Sequence, residues 1–175
     1  MPVYNHADYV AEAIGSVCAQ TFEDWELIVV DDGSTDGGDA IAEEIAREDP
    51  QITFIRQENS GPAVARNTAL ARVRADWLAY IDSDDVWYPP ALQSYADYFA
   101  EHPDAQFIYG YRHRLDADGT VTELSGEYQD RSTGTKELWE RMYLSHLCVC
   151  YRRELIDRAG PYDPNLRSCE DYDLY

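Results

Sequence analysis

Apolar positions recur along this chain at two periods, and their alternation predicts the architecture. Val10, Ile14, Val17 and Cys18 fall at helical spacing and predict a helix over about residues 8–20, with Asp8 as its N-cap. Trp25-Glu26-Leu27-Ile28-Val29-Val30 is a strongly β-prone run that stops at Asp31-Asp32-Gly33-Ser34. Asp39 is placed to cap a second helix, to about residue 48, with Ile41 and Ile45 facing a sheet and Pro50 beyond its end. The unit then repeats: a strand over 52–56, the turn Asn59-Ser60-Gly61-Pro62, a helix over 62–74 and a strand over 77–81. Such alternation predicts an α/β fold, with a mostly parallel sheet flanked by helices and right-handed crossovers.

The second half reads as more antiparallel. Pro89 and Pro90 introduce a helix to about residue 101, with Leu92, Tyr95, Ala96 and Phe99 inward. A strand over 105–111 and a hairpin of 111–115 with 120–124, turning at Asp118-Gly119, come next. Leu138, Trp139, Met142 and Tyr143 form a helical stripe suited to core packing. A strand over 147–151 leads into a helix over 153–159, stopped by Gly160-Pro161. Residues 1–5 read as the end of a strand begun upstream, and 167–175 as a loop entering a helix, so the expectation is a chain truncated at both ends. No linker or repeat divides it, and a single domain over 1–175 is expected.

Composition narrows the partners. With 45% hydrophobic residues in 175, the chain can bury one real core. Its formal net charge of -20 repels phosphate backbones and anionic lipid, which argues against nucleic acid as a partner, so a nucleotide would have to be bound locally. Lys136 is the only lysine, and acidity with so little lysine hints at a high-salt or GC-rich source. Cys18, Cys148, Cys150 and Cys169 show neither a C-x-x-C pair nor zinc-like spacing with the histidines, and read as reduced, mostly core thiols. No transmembrane segment or secretory signal is visible, so a soluble, cytoplasmic protein is expected; peripheral association of the full-length protein with the inner face of the membrane stays open.

The chemistry gathers at Tyr80-Ile81-Asp82-Ser83-Asp84-Asp85, where an apolar strand ends in three carboxylates within four positions. Open α/β sheets place their ligands at this end of a strand. Carboxylates this close raise one another's pKa unless a cation or donors offset them, and an all-oxygen set suits Mg²⁺ or Mn²⁺ held together with substrate phosphates. A solvated acidic loop is the competing reading. The segment 32–43 matches EF-hand spacing but leaves a strand rather than a helix, and Asp39 stands where that loop carries an apolar residue.

Taken together, Pro2-Val3-Tyr4-Asn5, Gln20-Thr21-Phe22, Val30-Asp31-Asp32-Gly33-Ser34-Thr35-Asp36, Asn59-Ser60-Gly61-Pro62, Ala65-Arg66-Asn67, Asp82-Ser83-Asp84-Asp85 and Glu170-Asp171 resemble, in order and approximate spacing, a family-2 glycosyltransferase of the GT-A fold. The resemblance implies a Rossmann-like nucleotide-sugar-binding half over 1–100 and an incomplete acceptor-side half over 101–175. It implies that Pro2, Val3, Tyr4 and Asp32 hold the nucleotide base and ribose, with turn capping as the alternative work of Asp31 and Asp32. Arg66 is implied near the diphosphate, Asp82 and Ser83 on the ribose or metal side, and Asp84 as the direct ligand of Mn²⁺ or Mg²⁺, with Asp82 the other candidate. Asp171 is implied as the general base and Glu170 as a residue orienting the acceptor or favouring a helix start.

The implied activity is metal-dependent, inverting transfer of a sugar from a nucleotide sugar, UDP-linked by expectation, to a glycan or lipid-linked acceptor in polysaccharide or cell-envelope synthesis. A nucleotidyltransferase shares the strand-end metal logic, but would want a Gly-rich basic phosphate loop near the amino terminus. A non-catalytic nucleotide-sugar-binding fragment is the alternative from another class.

Overall fold

The computed structural model describes residues 1–123, 145–166 and 171. Its first half is a parallel sheet of β1 (Pro2–Val3), β2 (Leu27–Asp31) and β3 (Ile52–Arg56), in that order. Between the strands run α1 (Val10–Cys18) and α2 (Gly38–Glu48), and α3 (Pro62–Leu70) follows β3.

All five residues of β2 are buried, because helices cover both of its faces. The two-residue period assigns them: Leu27 and Val29 pack with Val10, Ile14, Val17 and Ala42 of α1 and α2, while Ile28 and Val30 pack with Ala65 of α3. This sandwich is the main core, and it sets the carboxyl ends of β1 and β2 side by side.

The second half is antiparallel. Here β4 (Trp77–Ala79), β5 (Phe107–Tyr109) and a later strand, Val149–Arg152, form a sheet with that later strand in the centre. A separate hairpin joins β6 (His113–Leu115) to β7 (Val121–Glu123), making Val149–Arg152 strand β8; Gly119 carries the turn at φ +83°. The helices of this half are α4 (Ala91–Glu101) and α5 (Arg153–Ala159), and a 3₁₀ turn at His146–Cys148 precedes β8.

Four expectations shift. The strand expected over 77–81 ends at Ala79 and pairs with β8 rather than with the parallel sheet. Asp8 does not cap α1; the His6 carbonyl accepts the N–H groups of Tyr9 and Val10 instead. Asp39 lies inside the first turn of α2, and the helix start is held by Asp36, whose Oδ1 accepts the Gly38 N–H at 3.0 Å. Cys18 is exposed, whereas Cys148 and Cys150 are buried. The stripe from Leu138 to Tyr143 lies outside the described residues, as does Cys169.

Ile14 is fully buried between α1 and β2, so Ile14→Ala is expected to lower unfolding free energy by about 2–5 kcal/mol, measured by urea denaturation.

Candidate active site

The site is built where β1 and β2 end. Asp31 and Asp32 leave β2 as buried carboxylates, and burial obliges each to find donors. Asp31 accepts the N–H groups of Gly33 (3.2 Å) and Ser34 (3.2 Å) and sits 3.5 Å from Arg56 Nε. Asp32 reaches across to the next crossover. Its Oδ1 accepts Gln57 Nε2 at 2.7 Å and the Ser60 N–H at 2.9 Å, and its Oδ2 accepts the Gly61 N–H at 2.8 Å. The capping role is therefore present at both aspartates. Three donors leave Asp32 about one of its roughly four acceptor sites for a ligand.

The turn that follows must be glycine-led. Gly33 adopts φ +79°, and a Cβ there would stand 3.0 Å from the Asn59 backbone nitrogen. Ser34 and Asp36 then tie the turn to the segment after β1: Ser34 Oγ accepts the Asn5 N–H at 2.9 Å, Asp36 Oδ2 accepts the Ala7 N–H at 2.8 Å, and Asn5 Oδ1 accepts the Thr35 N–H at 2.9 Å. Asn5 itself takes φ 55°, the only non-glycine residue with positive φ among those described. This leaves Tyr4 half-exposed at the rim, while Pro2 is partly buried and Val3 is a core residue that can offer a ligand only its backbone.

The acidic loop after β4 joins the same rim. Arg66, on α3 and almost wholly buried, donates to Asp82 Oδ1 at 3.1 Å. Ser83 is turned inward, and its hydroxyl lies 2.7 Å from His6 Nδ1. Asp84 is exposed and Asp85 half-buried. Burial first, and then the Asp84 and Asp82 charges, push the Asp85 carboxyl up to about 6, so the repulsion expected of these carboxylates is present but second to desolvation.

No group of three or more His, Cys, Asp or Glu able to hold a metal is present among the described residues. A fully protein-caged ion is therefore not supported by them. An exposed Asp84 beside a half-exposed Asp82 fits the other regime, in which Mg²⁺ or Mn²⁺ takes one or two carboxylates and completes its shell with waters and substrate phosphates.

A second junction binds the two halves. The Asn67 side chain, one residue after Arg66, holds the Tyr162 backbone from both sides: Nδ2 donates to the carbonyl at 2.9 Å and Oδ1 accepts the N–H at 2.9 Å. The Tyr162 ring is buried among Tyr80 and His146, its hydroxyl lies 3.0 Å from His146 Nε2, and the Arg66 guanidinium sits 5.9 Å from its centroid. Burial, the Arg66 charge and the Met1 amine push the His146 imidazole down to about 3. Sequence reasoning missed His6, Asn67, His146 and Tyr162; only Asn67, inside Ala65-Arg66-Asn67, carried a motif signal. Asp171 is helical and half-buried, and Glu170 lies outside the described residues.

The pattern of the family described as Glycosyl transferase family 2 matches residues 1–160. The chain belongs to that family. The putative teichuronic acid biosynthesis glycosyltransferase TuaG of Bacillus subtilis is 39% identical over 120 residues, covering 68% of this chain and 47% of that protein. Chondroitin synthase of Escherichia coli is 29% identical over 175 residues, covering 100% of this chain and 25% of the other. This family member thus spans about half or less of the length of these relatives. Among solved structures, residues 1–349 of S. aureus TarS superpose with a TM-score of 0.80 at 24% identity, covering 99% of this chain and 53% of that one. The mannosyltransferase PcManGT of Pyrobaculum calidifontis, solved with GDP-Man and Mn²⁺, gives 0.72 at 19% identity, covering 98% and 48%. At these identities the likeness shows the fold, GT-A-like α/β, as the family resemblance implied. No helix among the described residues is long and apolar enough to cross a membrane.

Asn67→Ala strips the buried Tyr162 N–H of its acceptor, and a loss of about 1–3 kcal/mol is expected in urea denaturation. His146 supplies a pH dependence of known sign. The unfolded imidazole binds its proton near 6.5 and the folded one near 3, so between these values the unfolded chain holds more protons and stability falls as pH falls. Urea midpoints measured from pH 7 to pH 4 are expected to drop less in His146→Gln than in the unchanged protein.

Proposed function

We propose that the chain carries the donor-binding and base-bearing part of a metal-dependent, inverting glycosyltransferase. The observation that supports this best is the convergence of Asp32, Arg66, Asp82 and Ser83, from three separate segments of the chain, on one rim of the parallel sheet. In this reading the Tyr4 ring packs on the nucleotide base, the remaining acceptor site of Asp32 takes a base N–H, and Asp82 or its neighbour meets the ribose. Arg66 lies beside Asp82 and offers its guanidinium to the diphosphate.

Asp84, with Asp82, would hold Mn²⁺ or Mg²⁺. Such an ion, when bound, neutralises charge on the departing nucleoside diphosphate. Asp171 takes the proton from the acceptor hydroxyl as that oxygen attacks the anomeric carbon from the face opposite the diphosphate, and this single displacement inverts the anomeric configuration. Glu170 would orient the acceptor.

UDP-linked donors are the favoured class, since TarS has been solved with UDP and with UDP-GlcNAc. The names of TuaG and chondroitin synthase support a setting in polysaccharide or cell-envelope synthesis, and in this reading the acceptor is a glycan or a lipid-linked molecule. For the full-length protein we place this work in the cytoplasm or at the inner face of the membrane, where nucleotide sugars are held.

The test separates binding from chemistry in a full-length version. UDP is expected to raise the melting temperature only with Mn²⁺ or Mg²⁺ present, and Asp84→Asn to abolish that dependence. Asp171→Asn is expected to keep the UDP shift but to lose transfer by a hundredfold or more, on the order expected for a general base. Release of pyrophosphate instead of a nucleoside diphosphate would point to nucleotidyl transfer, and binding without transfer or donor hydrolysis to a non-catalytic module.

A further inference from the structure

Three successive residues of α3 leave the helix in three directions, about 100° apart. Arg66 reaches Asp82 and Asn67 holds Tyr162, while Thr68 turns back toward the end of β3, where its hydroxyl lies 2.6 Å from Gln57 Oε1. Only the hydroxyl can donate in that pair, because an amide oxygen carries no hydrogen. The bond therefore decides which end of the half-buried Gln57 amide faces Thr68, and the NH₂ end is left to Asp32, whose Oδ1 it meets at 2.7 Å. The main chain of Gln57 is anchored as well, its N–H donating to the Asp31 carbonyl at 2.9 Å.

The two oxygens of Asp32 are unequally occupied. Oδ1 accepts Gln57 Nε2 and the Ser60 N–H, which fills both of its lone-pair positions, whereas Oδ2 accepts the Gly61 N–H. Asn59 Nδ2 also donates to the Asp32 carbonyl at 3.0 Å, so one segment, 57–61, holds the residue by main chain and side chain together. An ionised carboxylate only accepts, and a ligand meeting it must bring an N–H or O–H. With Oδ1 closed and a position left on Oδ2, Asp32 can take a single donor but not a side-by-side pair. That difference separates nucleobases. Uracil presents one ring N–H, at N3, between two carbonyl acceptors; guanine presents N1–H and the N2 amino group together, a donor pair that a free carboxylate takes with both oxygens.

Given the placement of Asp32 at the nucleotide base proposed above, we infer that Gln57, held by Thr68, determines base specificity: by occupying Oδ1 it makes Asp32 a reader of one donor, which admits a uracil edge and rejects guanine. Both residues act through Asp32 and are positioning residues. For guanine to be read by both oxygens, the Gln57 amide would have to leave Oδ1 and give up the Thr68 bond as well, and losing a bond to a buried charge is the more costly of the two. A hydroxyl on α3 thus reaches the base through two hydrogen bonds in series, while its helical neighbour Arg66 faces the diphosphate side.

The experiment measures dissociation constants of UDP and GDP by calorimetric titration of the full-length protein with Mn²⁺ present, alongside Gln57→Ala, Thr68→Val and Thr68→Ser. UDP and GDP share the ribose and diphosphate, so those contributions and that of the metal drop out of the ratio. The unchanged protein is expected to favour UDP. Gln57→Ala is expected to narrow that preference by at least about tenfold, the order of one hydrogen bond to a charged group. Thr68→Val should narrow it by about threefold, as for a neutral hydrogen bond, and Thr68→Ser, which keeps the hydroxyl, should leave it as it was. A ratio unaltered in Gln57→Ala and Thr68→Val would overturn the inference while leaving nucleotide binding in place. So would affinities for UDP and GDP that fall together with the melting temperature, a Thr68→Ser that behaves like Thr68→Val, or an unchanged protein that favours GDP. Binding of neither nucleotide by the unchanged protein would overturn the donor-binding reading itself, and the inference with it.

Discussion

The Asp32 carboxylate holds the site together. It is buried at the end of a strand wholly covered by helices, where an uncompensated charge would be prohibitive, and it is compensated by donors from a segment about 25 residues further on. Two of those donors are the N–H groups of Ser60 and Gly61, just ahead of α3. The bond that satisfies the charge therefore also sets where α3 begins, and with it the position of Arg66. Arg66 in turn reaches Asp82. One desolvated carboxylate thus orders three crossovers relative to one another before any ligand arrives.

The same economy runs through the rest of the rim. Asn5, Ser34 and Asp36 exchange side-chain to backbone bonds between two turns, so the half-exposed Tyr4 is presented from a stiff frame rather than a free loop. Ser83 and His6 close the gap between the first turn and the acidic loop. What remains unsatisfied is electrostatic: Asp82, Asp84 and Asp85 are crowded together, with one arginine in contact with the first of them. A rim that is rigid in its backbone and short of positive charge is suited to a ligand that brings a cation with it.

Family membership and this geometry are separate lines of support. The family match covers 1–160 and shows kinship; it does not assign roles to side chains. Roles come from burial and bonding, and these divide the expected residues into two groups. Val3, Asp32, Arg66 and Ser83 are buried, and the last three are held by side-chain hydrogen bonds that fix the shape of the rim. Tyr4 and Asp84 are open to solvent and free to meet a ligand directly. The Asn67–Tyr162 junction ties the segment after α5 to this frame through contacts 95 residues apart in sequence.

Local pattern was enough to read the elements. Periods of two and 3.6 located β2, β3, α1 to α5 and the hairpin, because burying one face of a strand or helix leaves a spacing visible in the residues themselves. The acidic loop was legible for a similar reason: an apolar strand that ends in carboxylates has few structural uses. Pairing was not legible. That β4 pairs with β8 is settled by a strand far along the chain, and nothing in Trp77–Ala79 encodes that partner. Capping was misplaced by a few residues because the helix start is decided by Gly37 at φ +93°, which hands the work to Asp36 rather than Asp39. The contacts of Asn67 with Tyr162 and of His6 with Ser83 join single residues across long separations, where hydrogen bonding to a backbone or a lone hydroxyl leaves no repeating mark in the chain. Those distances exist only once the core has closed, and so tertiary packing alone could settle them.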